Sequence, residues 1–217
     1  NLIRSTNPLG AVTRFSYTSA FNRLASVTDA KGSVTNYNYD SKGNLLSITY
    51  ADGNVETWGY DSLGQATSWT NRRGNVIGYT YDNSGQITSK IYADHSYVNY
   101  TYDVRGNMVS TSDPTGITSF IYNTSDYLTR INYTGGQWLQ FTYDTAGRRA
   151  SSLDQTGHRL NYHYDSFGRL ESLTNEAIQQ VVSYTYDAMG RLSQKTLGNG
   201  IYTTYSYDAA GRLLHLV

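Results

Sequence analysis

The chain has 217 residues with 17 basic and 17 acidic side chains, so its net charge is zero and no basic field would attract nucleic acid. It contains no Cys, which excludes a disulfide framework and a thiolate metal site. No segment approaches the roughly 18 apolar residues of a membrane-spanning helix, so membrane insertion is not expected. The first residues also show no signal peptide.

An internal repeat of 21 residues organises the chain. Each copy has an aromatic residue, then any residue, then Tyr, usually followed by Asp and by Gly three residues later. Aromatic residues make up only 14% of the chain, yet both aromatic slots are filled in every copy, so the pattern is not accidental. The second slot is occupied by Tyr17, Tyr39, Tyr60, Tyr81, Tyr102, Tyr122, Tyr143, Tyr164, Tyr186 and Tyr207.

In chain order, each copy predicts a strand, a tight turn, a second strand and a second turn. The two aromatic residues lie two positions apart and project from the same face of a strand. Asp with Gly three residues later predicts a type I turn that closes on a left-handed Gly. A second extended run follows, and then a second turn fourteen residues after the Tyr, as at Gly53 and Gly136. The predicted fold class is all-β: an antiparallel meander of about ten β-hairpin repeats that form a curved or spiralling sheet.

The residues expected to hold the repeats together are the aromatic pair, the Asp and the turn Gly. They are Tyr37, Tyr39, Asp40, Gly43, Tyr60, Asp61, Gly64, Tyr81, Asp82, Gly85, Tyr102, Asp103, Gly106, Tyr143, Asp144, Gly147, Tyr164, Asp165, Gly168, Tyr186, Asp187, Gly190, Tyr207, Asp208 and Gly211.

Some positions depart from this pattern. In two degenerate copies the turn Gly is missing, and Asp126 stands at that position in one copy and Asn22 near it in the other; both residue types tolerate the left-handed conformation. His95 replaces the Gly of a second turn. Residues 175–180 carry a small insertion, which we expect to bulge outward. The shortest interval between repeats, from Tyr102 to Tyr122, marks the expected irregularity of the array.

The recurring Asp residues suggest paired catalytic carboxylates or a calcium site, but the repeat geometry argues against both. Equivalent residues of neighbouring hairpins lie two strands apart, about 9–10 Å, whereas calcium binds oxygens at about 2.3–2.6 Å. A glycosidase pair needs two unequal environments, and a repeat tends to give equal ones. The four His residues show no metal spacing, and no catalytic motif occurs. We therefore expect no catalytic residue, no metal, no cofactor and no enzyme activity.

Exposed aromatic side chains can also stack on sugar rings. Trp58, Trp69 and Trp138 are the candidate glycan contacts. The favoured interpretation is nevertheless structural, because Tyr in fixed slots is needed to hold neighbouring strands together.

The pattern aromatic-x-Tyr-Asp-x-x-Gly-Arg-Leu closely resembles the YD repeat of the RHS family. Residues 164–170, 186–192 and 207–213 match it fully, and the resemblance extends over essentially the whole chain. Earlier copies depart at the Arg slot, which is occupied by Asn44, Gln65, Gln86 and Asn107. The family includes bacterial RHS polymorphic toxins, wall-associated proteins, the BC component of insecticidal toxin complexes and animal teneurins.

The resemblance implies a spiralling β-sheet shell around a hollow interior, which encloses an effector in toxins and supports cell adhesion in teneurins. We therefore expect residues 1–217 to be a single repeat array, a fragment of a longer one, in a secreted or cell-surface bacterial protein. The implied function is a structural shell or scaffold segment that encloses or displays another polypeptide such as a toxin effector. The implied partners are further YD repeats of the same protein or neighbouring copies at open sheet edges, an enclosed effector, or surface glycans.

Two alternatives remain open at this point. The array could be a carbohydrate-binding or cell-surface-binding adhesive module. Open sheet edges could also let separate copies join end to end into filaments.

Overall fold

The computed structural model describes all 217 residues, and its regular elements are 21 β-strands. No helix of the length and apolarity that crossing a bilayer requires is present. In chain order the strands are β1 (Arg4–Thr6), β2 (Val12–Tyr17), β3 (Leu24–Thr28), β4 (Val34–Tyr39), β5 (Leu45–Thr49), β6 (Val55–Tyr60), β7 (Ala66–Thr70), β8 (Val76–Tyr81), β9 (Ile87–Ile91), β10 (Tyr97–Tyr102), β11 (Met108–Asp113), β12 (Gly116–Tyr122), β13 (Leu128–Asn132), β14 (Trp138–Tyr143), β15 (Arg149–Asp154), β16 (Arg159–Tyr164), β17 (Leu170–Asn175), β18 (Gln180–Tyr186), β19 (Leu192–Leu197), β20 (Tyr202–Tyr207) and β21 (Leu213–Leu216).

The chain divides into two compact units, residues 1–101 with 111–115, and residues 102–110 with 116–217. In the first unit, β1 to β10 each pair antiparallel with the next strand in sequence. In the second unit, β12 to β21 do the same. The predicted all-β antiparallel meander is confirmed. That residues 1–217 form one array stays a prediction.

Within nine of the hairpins the pairing shifts by one residue at the second Tyr of the motif. Asn38 pairs with Ser47 but Tyr39 pairs with Leu45, so Leu46 is an extra residue on the second strand. The same shift occurs at Tyr60, where Ala66 is the partner. An extra residue of this kind is a β-bulge, which bends the strand and increases its twist. The bulge therefore recurs with the repeat and was not predicted from the sequence.

The turns have the conformation that the motif predicts. Gly43 ends its turn with φ of +84° and donates from its amide to the carbonyl of Asp40 at 3.1 Å. Asp126 and His95 stand where Gly is missing and have φ of +61° and +66°. In the first copy Phe21 occupies the Gly position with φ of +59°, and Asn22 follows it with +53°. The left-handed conformations expected of Asn22 and Asp126 are therefore confirmed, and that of Phe21 was not predicted.

Two second turns differ from the others. Ile178 adopts φ of +62°, which is uncommon for a β-branched residue. It lies in the predicted insertion, and beside it the pairing of β17 with β18 shifts between Leu173 and Thr174, so that Val181 is an extra residue on β18. That residues 175–180 themselves bulge outward stays a prediction. Gly116 occupies the second-turn position of its repeat, but its φ is +141° and it begins β12.

The period-two alternation of the strands gives each unit two chemically different faces. One face, here called the aromatic face, carries the motif aromatics and their cross-strand partners, as in the row Trp58, Trp69 and Ile77. The opposite face, here called the hydroxyl face, carries small polar residues, as in the row Asn38, Ser47 and Thr57.

Neither face is fully covered. Phe141 and Val182 are the buried apolar residues, and Ser151 is the buried polar one. The chain exposes 14041 Å² of surface, whereas a compact monomer of its mass would expose about 10,000 Å². The repeats are therefore held mainly by strand pairing, turns and contacts between neighbouring repeats rather than by an enclosed core.

Candidate functional site

The second Tyr of the motif joins each repeat to the one before it. The phenol of Tyr60 donates a hydrogen bond of 2.9 Å to the backbone carbonyl of Leu45. The pairing of β5 with β6 ends at Ser47 and Thr57, so Leu45 lies beyond the end of that ladder. The phenol thus supplies a donor to a carbonyl that strand pairing leaves without one, as partly buried carbonyls require.

This hydrogen bond recurs through the chain at 2.7 to 3.0 Å. The further donor and acceptor pairs are Tyr17 and Leu2, Tyr39 and Leu24, Tyr81 and Ala66, Tyr122 and Met108, Tyr143 and Leu128, Tyr164 and Arg149, Tyr186 and Leu170, and Tyr207 and Leu192. Each such bond contributes about 0.5–1.5 kcal/mol net.

Burial raises the pKa of several of these phenols above the ordinary value. Desolvation is the largest cause of the raised pKa at Tyr39, Tyr60, Tyr81, Tyr122, Tyr164 and Tyr186. The phenols therefore stay protonated at neutral pH, which is the state that donates. They are not poised to act as bases there.

The motif Asp closes the first turn by accepting from the backbone. Asp187 Oδ1 accepts from the amides of Met189 and Arg191, each at 2.9 Å, and Oδ2 accepts from Arg191 Nε at 2.7 Å. The pKa of Asp187 is lowered, first by the hydrogen bond from the Arg191 amide and also by its guanidinium. A carboxylate held in this way is a turn element rather than a general acid.

The residue after the turn Gly, here called the post-turn residue, contacts the next repeat as well as its own. A Cβ placed on Gly190 would lie 3.4 Å from Arg169 Nη1, and one placed on Gly85 would lie 2.9 Å from Gln65 Nε2. Its side chain therefore spans the distance from one first turn to the following one.

Where the post-turn residue is Arg, it makes two interactions. Arg169 pairs with Asp165 of its own turn, with Nε and Oδ2 2.7 Å apart. Its guanidinium also lies 4.4 Å from the ring centre of Tyr186 in the next repeat. Arg148 over Tyr164 and Arg191 over Tyr207 repeat this cation–π contact at 4.4 and 4.7 Å. The Arg residues of the motif thus link consecutive repeats.

The degenerate copy uses a different side chain at the same position. Tyr127 is its post-turn residue, and its ring stacks on Tyr143 of the next repeat with centres 4.9 Å apart and planes inclined by 26°. The left-handed Asp126 accepts from Asn107 Nδ2 at 2.8 Å and pairs with Arg105, also at 2.8 Å. An ion pair therefore joins the degenerate copy to the preceding repeat, and ring stacking joins it to the following one.

The strand register assigns the three Trp residues to two different faces of the hairpin repeat. Trp58 and Trp69 are directly paired across β6 and β7 on the aromatic face and are half-buried. The indole nitrogen of Trp69 is buried without a hydrogen-bond partner. Trp138 lies on the hydroxyl face opposite Asn132, and the guanidinium of Arg130 covers its ring at 4.3 Å. That Trp58, Trp69 and Trp138 contact glycans stays a prediction.

Sequence reasoning missed the polar rows of the hydroxyl face. Ser stands eight residues after the motif Tyr in six copies, and several of these Ser residues lie opposite another small polar residue, as Ser151 lies opposite Thr142. Their hydroxyl oxygens are 2.7 Å apart. The signal was present in the sequence as Ser47, Ser68, Ser89, Ser110, Ser151 and Ser172. No group of three or more potential metal-ligating side chains is present.

Family models match most of the chain. The RHS Repeat model matches residues 1–34, 19–55, 164–201 and 186–217, which together are half of the chain. The Teneurin YD-shell model matches residues 52–153. No curated protein matches the chain.

Solved structures with a similar fold come from toxin complexes. The chain aligns over 100% of its length with 14% of a chain in the crystal structure of TcdB2-TccC3, at a TM-score of 0.80 and 16% identity. It also aligns over 100% of its length with 13% of a chain in the structure of TcdB2-TccC3-Cdc42, at 0.78 and 15%. In the Tc holotoxin pore of Photorhabdus luminescens, 95% of this chain aligns with 13% of that chain, at 0.63 and 16%. This chain therefore spans about one seventh of the structures it matches, and the likeness shows the fold.

Proposed function

Because this chain belongs to the RHS-repeat family, we propose that it is a structural segment of a shell that encloses another polypeptide, such as a toxin effector. The motif residues are its structural site: the Tyr pair, the turn Asp and Gly, and the post-turn Arg set the spacing of one hairpin on the next. We propose a secreted or cell-surface bacterial protein as its setting.

The observation that carries this proposal is that the repeats form a regular sheet whose aromatic face is not fully covered. Half-buried aromatic side chains follow one another along the aromatic face, yet only Phe141 and Val182 are buried apolar residues. Apolar rows of this extent favour contact with a further surface over contact with water. The matched structures, whose names join TcdB2 to TccC3, support a setting in which such repeats hold a second component.

Electron cryomicroscopy of the protein encoded by the complete reading frame tests the proposal. We expect these repeats to form part of a wall around density for another polypeptide. The proposal would be contradicted if the wall enclosed only solvent and the rest of the encoded chain were located outside the wall.

A second candidate is carbohydrate binding, for which exposed aromatic side chains on the hydroxyl face provide a specific observation. Tyr97 and Tyr202 begin their strands at the position equivalent to Trp138 and are 39% and 61% exposed. Saturable binding on a glycan array that is lost in Trp138→Ala, but retained in Trp58→Ala, would support this candidate.

Self-association through open sheet edges is a third candidate for the partners of this chain. Negative-stain microscopy and sedimentation at increasing protein concentration distinguish it from the first two. Filaments support the candidate, and a monomer at all concentrations rejects it.

A further inference from the structure

Two second turns of the first unit share the sequence Tyr-Ala-Asp, at residues 50–52 and 92–94. Their backbones are closed in the same way. The amide of Tyr50 donates to the carbonyl of Asn54 at 2.9 Å, and that of Tyr92 donates to Ser96 at 2.9 Å. Asp52 and Asp94 each accept from the amide two residues further on at 3.0 Å. The two turns therefore carry a Tyr and an Asp at equivalent positions of the same backbone turn.

In the first of these turns, an Arg from the next repeat contacts both the Tyr and the Asp. The guanidinium of Arg72 lies 4.1 Å from the ring centre of Tyr50. It also donates to Asp52 and forms an ion pair with it. A ring face and a carboxylate side by side are a receptor that suits the planar guanidinium, which can stack and pair at once.

In the second turn, the corresponding position cannot supply a cation. Arg72 stands twelve residues after Tyr60, and twelve residues after Tyr102 the chain has Pro114, which has no charge and no donor. Asp94 forms no ion pair, and no cation lies over the ring of Tyr92. The Tyr92 turn thus has the same two types of side chain as the Tyr50 turn, but it has no Arg to contact them.

The Tyr92 turn also borders an open groove. The groove has a volume of about 630 Å³, and its lining includes Asn71, Asn75, Tyr92 and Asp94. Tyr92 is half-buried and Asp94 is exposed, so both can be reached from solvent. The side-chain amide oxygen of Asn75 and the carboxylate of Asp94 are available there to a donor-rich ligand, whereas Asn71 Oδ1 already accepts from the amides of Arg73 and Asn75.

We propose that Tyr92 and Asp94 form a binding site for an arginine side chain of a second polypeptide. The guanidinium stacks on the Tyr92 ring and pairs with Asp94, as Arg72 does with Tyr50 and Asp52. This inference is separate from the shell function, because it depends only on the comparison of the two turns within one unit.

Titration of the 217-residue chain with N-acetylarginine amide, followed by amide chemical shifts in nitrogen-15 NMR spectra, tests the proposal. We expect shifts concentrated on residues 92–96, with weak affinity because the site is exposed. The neutral citrulline analogue should cause no such shifts. Asp94→Asn keeps a turn-closing oxygen and removes the charge, and Tyr92→Leu keeps an apolar side chain and removes the ring. Each variant should weaken binding by about two- to fivefold, the range for an exposed cation–π or ion-pair contact.

Two further variants use the occupied turn as the control. Arg72→Ala should expose the first receptor, so that residues 50–54 begin to respond to the arginine probe. Pro114→Arg should fill the second receptor from within and abolish the response of residues 92–96. The proposal is overturned if the shifts at residues 92–96 persist unchanged in Asp94→Asn, or if Arg72→Ala creates no response at residues 50–54 while its spectrum remains that of a folded chain.

Discussion

The guanidinium of Arg169 lies 4.4 Å from the ring centre of Tyr186 while its Nε donates to Asp165, 2.7 Å away. One side chain thereby joins the first turn of its own repeat to the motif Tyr of the next. In the first unit the equivalent positions hold Asn44 and Gln65, which have no charge to offer the following ring. Coupling between repeats is therefore chemically different along the chain.

This difference predicts that Gln65→Arg stabilises the chain. The new guanidinium would reach Asp61 of its own turn and the ring of Tyr81, as Arg169 reaches its partners. We expect a gain of about 0.5–1 kcal/mol in the free energy of unfolding, the size of an exposed cation–π contact. Urea denaturation measures it. Gln65→Lys is the matched control, because it adds the charge without the planar group, and an equal gain in both variants would contradict the stacking account.

The inter-repeat hydrogen bond of Tyr60 predicts a cost for removing one oxygen atom. Tyr60→Phe keeps the ring but leaves the Leu45 carbonyl without its donor, so we expect a loss of about 0.5–1.5 kcal/mol in urea denaturation. Tyr37 has no hydrogen bond from its phenol, and Tyr37→Phe should be close to neutral. Equal effects of the two substitutions would show that the phenol of Tyr60 is not a structural donor.

Substitution of two glycines by Ala should distinguish the free-energy cost of a left-handed backbone from the cost of a side-chain clash. Gly53 and Gly147 have φ of +81° and +77°, but a Cβ on Gly53 would meet nothing within 4 Å, whereas one on Gly147 would meet the phenol of Tyr127. We expect Gly53→Ala to cost about 1–2 kcal/mol for the left-handed conformation alone. Gly147→Ala should cost more, because the Tyr127 side chain must also move off Tyr143. Thermal and urea unfolding compare them, and a smaller cost at Gly147 would contradict the packing described for this junction.

Because of the turn carboxylates, we expect the stability of the chain to depend on pH. The pKa values of Asp40, Asp144, Asp187 and Asp208 are lowered, first by the hydrogen bond from the amide four residues further on. Because the folded pKa lies below the unfolded value of about 3.9, this stabilisation is present above pH 4 and is lost as the pH falls through the lowered values.

A single variant tests whether this pH dependence of stability comes from the turn carboxylates. Asp187→Asn should be less stable than the parent chain at pH 7, and the difference should shrink as the pH falls from 7 through the lowered pKa of Asp187, because the parent Asp then becomes protonated. Urea midpoints across this range measure it. A difference that stays constant with pH would show that the charge of Asp187 does not stabilise its turn.

The repeat could be predicted because its signals are local. The spacing of paired rings, Asp and Gly determines strand and turn within a single hairpin, and the left-handed positions of Asn22 and Asp126 follow from residue type alone. The inter-repeat contacts could not be predicted in this way. The acceptor for Tyr60 is a backbone carbonyl, which has no sequence signature, and it lies beyond the end of the ladder between β5 and β6.

The tryptophans show a second limit. Trp58 and Trp138 look alike in the sequence, yet one lies on the aromatic face and the other on the hydroxyl face under Arg130. Which face a residue occupies depends on its register relative to the motif Tyr, two positions before it for Trp58 and five for Trp138. Whether that number of positions is even or odd can be read from the sequence. It would have assigned residues to the two faces and revealed the row of Ser residues.

Limited proteolysis of the intact protein that contains this array tests the enclosing role most directly. The account predicts that a second polypeptide of the same assembly resists trypsin while the array is folded. It should become cleavable when Tyr→Phe substitutions at several inter-repeat positions weaken the wall. Cleavage of that polypeptide at the same rate in the parent and the weakened protein would contradict an enclosing role for these repeats.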